Sequence, residues 1–167
     1  MGRRCAIIKL SMNKTRLLTE AAVIAAVYAV LTIVIPMSSG QIQVRVSEAL
    51  TVLPAFTPAA IPGLFAGCLI ANFFVGNGPV DVVFGSLATL VAAFLSYKMP
   101  KKWLVPLPPV IINAVVVAFV LNYVIKAPLL LTMFWVALGE VIACYGLGLP
   151  LLLQLEKHRD KIFKRNS

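Results

Sequence analysis

At 167 residues, 60% hydrophobic composition and a mean hydropathy of +0.95, the chain is too apolar for a water-soluble domain, in which about half of the residues are apolar. Fifteen Lys and Arg against six Asp and Glu leave a formal charge of +9, but the basic residues fall at segment ends and in one tail. That distribution signals membrane topology and argues against a nucleic-acid surface. Cys5, Cys68 and Cys144 are too far apart for a disulfide framework or a metal motif, and His158 is the one histidine. With no phosphate loop, nucleophile triad or HExxH sequence, neither enzyme chemistry nor a metal or cofactor is expected. The composition points to an all-α, polytopic membrane protein.

The first twelve residues are basic and end at a second methionine, Met12. Residues 1–12 are read as a disordered extension, with Met12 as the expected native start. A signal peptide over residues 1–40 is the rival, because Ser38, Ser39 and Gly40 are small, but the apolar run to Pro36 exceeds an h-region of about 7–15 residues. The first apolar segment covers residues 17–35, and at about 1.5 Å per residue its roughly twenty residues cross a hydrocarbon core of about 30 Å. Within it Ala21, Ala25 and Ala29 recur every four residues, with Ala22 and Ala26 beside them. Such a smooth face permits close helix approach, either inside the same bundle or against a partner.

After Pro36 the sequence QIQVRVSEAL, from Gln41 to Leu50, alternates Gln41, Gln43, Arg45 and Ser47 with Ile42, Val44 and Val46. In an extended chain the two sets point to opposite faces. The second segment, residues 47–56, is short. Ser47 is positioned to cap its first turn, and Glu48 is favoured there by the helix dipole. Segments three, residues 59–75, and four, residues 80–96, are joined by the turn GNGP. A basic loop with Lys98, Lys101 and Lys102 leads to segment five, residues 104–125, and a link at Lys126 and Ala127 leads to segment six, residues 128–155.

Charge decides whether the short segment crosses. Six crossings with the N-terminus inside put thirteen basic residues inside and two, Arg45 and Lys126, outside, whereas a segment that dips and returns reverses that balance. The expected architecture is thus six transmembrane helices with a short second helix and an extended first loop. Residues 13–156 form the membrane domain, and residues 157–167 a charged cytoplasmic tail. Irregular backbone at membrane depth is tolerated where it lines a cavity, so the polar island is the expected solute site.

Ionisable residues inside membrane segments are costly, by roughly 2.5–3.5 kcal/mol on insertion scales, and are first read as functional. Glu140 lies mid-segment with no Lys or Arg on its own helix until Lys157; a neutral carboxyl bonded to a neighbouring helix is the plainer explanation. Asp81 suits a helix N-terminus, and Arg45 suits an interface, a gate or a partner for Asp81. Asn72, Asn113 and Asn122 are amides able to line an outward-facing pocket or to bond helix to helix, and Tyr123, Phe134 and Trp135 are candidates to stack on a planar ligand.

The runs QIQVRVSEALTVLP and GNGPVDVVFGSLATL, with the GE of segment six, resemble the QueT family of queuosine-precursor transporters. These are S components, the substrate-binding subunits of energy-coupling factor (ECF) transporters. The resemblance extends from Met12 to about Lys157. It implies a six-helix protein of the bacterial plasma membrane, both termini cytoplasmic, that captures a 7-deazaguanine such as preQ1 or preQ0. The implied partners are a transmembrane scaffold subunit and two cytoplasmic ATPases, with Ala21, Ala25 and Ala29 as the docking face. The substrate-binding residues expected on this basis are Gln43, Arg45, Glu48, Asn72, Asp81, Asn113 and Glu140. Glu140 is assigned to the base edge, and Glu48 to the amine or a second base contact. The residues also admit two other readings, a solitary proton-coupled carrier using Glu140 and Asp81, and a non-transporting assembly protein. An S component for another vitamin or nucleobase is a variant of the first.

Overall fold

The structure, a computed structural model, describes residues 14–35, 38–39, 42–43, 45–76 and 78–158, with the backbone alone at 38, 39, 42 and 43. The expected extension at 1–12, Gln41, Val44, the Gln43 side chain and the tail beyond His158 lie outside that description. Apolar runs become helices, because only a helix satisfies its own backbone groups in a lipid environment. Helix α1 is Lys14–Val34, followed by a two-stranded antiparallel ladder of β1, Ser38–Ser39, and β2, Ile42–Gln43. A 3-10 helix over Val46–Ala55 comes next, then α2, Ala60–Val75, α3, Pro79–Lys98, and α4, Leu107–Ile125. The last span is one continuous helix, Leu129–Lys157, made of α5, Leu129–Val141, a π-helical stretch, Ile142–Gly148, and α6, Leu149–Lys157.

Among the described residues, four helices are long and apolar enough to cross a membrane, and Val46–Ala55 and Ala60–Val75 are shorter apolar helices. The six expected segments therefore occur in the expected order. Segment two is wound as a 3-10 helix. With a rise of about 2.0 Å per residue, its ten residues reach about 20 Å, farther than the same residues in an α-helix.

Helix α1 lies so close to α2 that a Cβ added at Gly63 would sit 2.8 Å from the Ala21 carbonyl oxygen, and one at Gly67 would sit 2.8 Å from that of Ala25. Glycine is required at both positions by this approach. The contact buries Ala21, Ala25 and Ala29 inside the bundle and leaves Ala22 and Ala26 exposed. The row Ala21, Ala25, Ala29 expected as a docking face is buried here, with Ala21 and Ala25 against the protein's own second helix, and the accessible small-residue row is the adjacent one.

Two apolar clusters frame the interior. Tyr28, Ala60, Leu64, Cys68 and Ala93 form one, and Val52, Val105 and Leu152 the other. The outer surface carries large apolar side chains such as Val23, Phe73, Phe84, Phe119 and Leu130. Polar groups are inside and apolar groups outside, the arrangement expected where lipid is the solvent. Two chain reversals bound α4 and α2: Gly76 ends α2 in the left-handed conformation (φ 75°), and Lys126 does the same for α4 (φ 57°). At the second reversal Asn122 donates from Nδ2 to the Ala127 carbonyl at 2.7 Å. Its role is to close a turn, not to line a pocket.

Candidate functional site

The site is built around Glu48. Arg45 is extended (φ −103°, ψ 111°) and precedes the 3-10 helix, and its carbonyl accepts from the Glu48 N–H at 3.0 Å. Ser47 is therefore not the cap expected from sequence. It lies one residue inside the helix, fully buried, with its hydroxyl 2.7 Å from that of Thr32 on α1. The tight 3-10 turn directs Glu48 inward, where its side chain is 1% exposed.

Three neutral groups meet the two central carboxyls. Tyr28, wholly buried on α1, donates its hydroxyl to Glu48 Oε1 at 2.5 Å. Asn113, from the middle of α4, donates from Nδ2 to Glu48 Oε2 at 3.3 Å and to Glu140 Oε1 at 3.1 Å. Cys144, one turn beyond Glu140, places its Sγ 3.5 Å from Glu140 Oε2 and 3.7 Å from the Glu48 carbonyl. One amide thus bridges two buried acids from different helices. Cys144 lies within the π-helical stretch Ile142–Gly148, and such segments occur frequently at functional sites.

Arg45 closes the arrangement on another side. Its Nη2 is 3.8 Å from Asp81 Oδ2, and its Nη1 donates to Asn72 Oδ1 at 3.5 Å. Asn72 in turn donates from Nδ2 to the Asp81 carbonyl at 3.4 Å. Asp81 occupies the first turn of α3, after Pro79, where a carboxylate is favoured, and there it also holds the guanidinium.

Arg45, Glu48, Asn113 and Glu140, with Gly85, Thr89, Val117 and Val136, line one cavity. Its free volume is about 10 Å³, room for about one water molecule. A larger solute enters only if a wall moves. Four of the residues singled out from sequence thus share one cavity, and Asn72 and Asp81 anchor its arginine. Gln43 contributes backbone pairing with Ser38. The aromatic candidates are not among the lining residues: Tyr123 and Phe134 are exposed, and Trp135 packs edge-on against Phe134.

Tyr28, Thr89 and Cys144 join the site without being candidates from the sequence alone. Tyr28 had a legible signal, since a tyrosine in the middle of an apolar span needs a partner for its hydroxyl. Thr89 had none, because a threonine can bond its own helix, as it does to the Gly85 carbonyl at 3.1 Å.

The family model of the QueT transporter matches residues 18–157. The chain belongs to the QueT transporter family. One relative, the queuosine precursor transporter QueT of Lactococcus lactis subsp. cremoris (strain MG1363), is 32% identical over 165 residues, covering 89% of this chain and 96% of that protein. No solved structure matches. Membership in this family and the long apolar helices together make the chain a multi-pass membrane protein of a transport system.

Proposed function

We propose that this protein is the S component of an ECF-type importer, capturing a queuosine precursor from outside and delivering it for ATP-driven uptake. The observation that carries the reading is the buried pair Glu48 and Glu140, bridged by Asn113 beside Arg45. A 7-deazaguanine offers two parallel N–H donors on its N1 and exocyclic N2 edge, which one carboxylate accepts together. Its carbonyl oxygen suits an amide or guanidinium donor. In preQ1 an aminomethyl group adds a cation for the second carboxylate; in preQ0 a nitrile takes its place. Glu140 takes the base edge and Glu48 the amine, with Asn113 and Arg45 completing the hydrogen bonds and Asn72, Asp81 and Gln43 supporting the arginine and its loop.

Entry requires the Arg45 side of the cavity to open. The contacts of Arg45 to Asp81 and Asn72 are long, at 3.8 and 3.5 Å, and Arg45 is joined directly to the first loop. In the bacterial plasma membrane that the family implies, the positive-inside distribution supports both termini cytoplasmic and the first loop outside. The scaffold subunit, with its two ATPases, docks on α1 along the exposed row Ala22 and Ala26.

Calorimetric titration of the purified chain, without ATP, tests the reading. Sub-micromolar binding of preQ1, preQ0 or queuine is expected, and a folded protein that binds none of them rules it out. Glu140→Gln and Glu48→Gln are each expected to weaken binding at least tenfold; unchanged affinity in both refutes the site. A solitary proton-coupled carrier gives a different outcome, uptake that collapses with an uncoupler and persists without the ATPases.

A further inference from the structure

The charges at the centre do not balance among themselves. Arg45 is engaged by Asp81 and Asn72. Glu48 and Glu140 are 1% and 5% exposed and, among the described residues, their side chains accept from neutral donors, the Tyr28 hydroxyl, the Asn113 amide and the Cys144 thiol. Since an oxygen of each lies within 3.3 Å of the same amide nitrogen, those two oxygens are less than about 6.5 Å apart, close enough for like charges in a buried site to oppose one another.

Among the described residues, the other elements packed around them bring no further cation. Helix α1 contributes Tyr28; α2 contributes Cys68, 3.3 Å from the Thr89 hydroxyl; α3 contributes Asp81, already held by Arg45; and α4 contributes only Asn113. One anion is accommodated by the three neutral donors with Arg45 on the wall. A second has nothing left to compensate it, and an uncompensated buried charge is strongly disfavoured. Carboxyl pairs of this kind titrate as a unit.

We infer that the ligand-free site retains one proton shared by Glu48 and Glu140, and that a cationic ligand displaces it, so that capture exchanges a ligand ammonium for a proton. The inference rests on the reading that the site takes a 7-deazaguanine. In the exchange one carboxyl O–H bond breaks, the proton passes to solvent and an N–H···O contact from the ammonium takes its place. The net charge of the buried centre is unchanged. A neutral ligand leaves the proton where it is. The exchange makes the affinity for the cationic ligand rise about tenfold per pH unit over the range in which the free site keeps its proton and the amine stays charged, because one proton is released per ligand bound.

The test compares preQ1, with its aminomethyl cation, and preQ0, with its neutral nitrile, on the purified full chain. Calorimetry in two buffers of different ionisation enthalpy counts protons released. Infrared difference spectra report whether a protonated carboxyl disappears, which separates loss of the site's proton from loss of the ligand's own. Expected for preQ1 are about one proton released and a lost carboxyl band that is absent from the Glu48→Gln/Glu140→Gln double variant; expected for preQ0 is neither. Tight binding of preQ1 with no proton release, or with release but no lost carboxyl band, overturns the exchange and leaves the proposed function standing. Failure of the folded protein to bind preQ1 overturns the exchange, and failure to bind preQ1, preQ0 and queuine alike overturns the proposed function with it.

Discussion

Replacing Tyr28 by Phe removes one oxygen from the centre of the bundle and little else. The ring still packs against Ala60, Leu64, Cys68 and Ala93, so no cavity of consequence forms. What is lost is the donor to Glu48 Oε1, in a pair whose members are 0% and 1% exposed. A buried acceptor left without its donor costs about 1–3 kcal/mol, roughly a 5- to 150-fold change in the folding equilibrium. The variant is expected to be destabilised by that amount when detergent-solubilised protein is titrated with SDS and unfolding is followed by tryptophan fluorescence. Ligand affinity is expected to fall as well, because Glu48 loses the contact that fixes its rotamer. Tyr123→Phe, at a residue 71% exposed, is the control and is expected to change neither quantity. Stability of Tyr28→Phe within about 0.5 kcal/mol of the parent, the ordinary range for surface substitutions, refutes the assignment of Tyr28 as the support of Glu48.

Other substitutions test other parts of the structure. Gly67→Leu drives a side chain into the Ala25 carbonyl and the Tyr28 Cβ, at 2.8 and 2.9 Å from the new Cβ; overpacking of about 1–3 kcal/mol and a parallel loss of ligand affinity are expected in the same unfolding and binding assays. Gly85→Ala puts a methyl 3.1 Å from Asn72 Nδ2 and 3.3 Å from Asp81 Oδ1 in the cavity wall, and a weaker Kd with near-parental stability is expected by calorimetry. Ala22→Trp is expected to abolish co-purification with a scaffold subunit while leaving ligand binding by the isolated chain intact; retained co-purification removes that row from the interface. Asn113→Leu withdraws the donors at 3.3 and 3.1 Å from both carboxyls, and at least a tenfold weaker Kd is expected.

Glu48, Asn113 and Glu140 were legible as candidates because polar side chains in apolar segments are costly enough to need a reason. Their meeting was not. They lie 65 and 27 residues apart along the chain, and nothing in residue type says which faces turn toward one another. The alanine rows show the same limit from the other side. A smooth face every four residues is visible in sequence, but the choice between Ala21, Ala25, Ala29 and Ala22, Ala26 depends on where Gly63 and Gly67 of a different helix come to rest. Ser47 illustrates a local failure. Capping chemistry was right for a serine at a helix start, but the 3-10 winding begins one residue earlier and buries it.

Residue types and their order along the chain are enough for the membrane class, the succession of the six apolar segments and the small set of polar residues from which a site had to be drawn, because lipid forbids exposed backbone and penalises charge along the whole length of a span. Only the tertiary structure decided that Asn113 bridges two acids, that Tyr28 supports one of them and that Arg45 is held by Asp81. Those contacts depend on helix rotation and on a close α1–α2 approach, which pairs of helices settle between them and no single segment encodes.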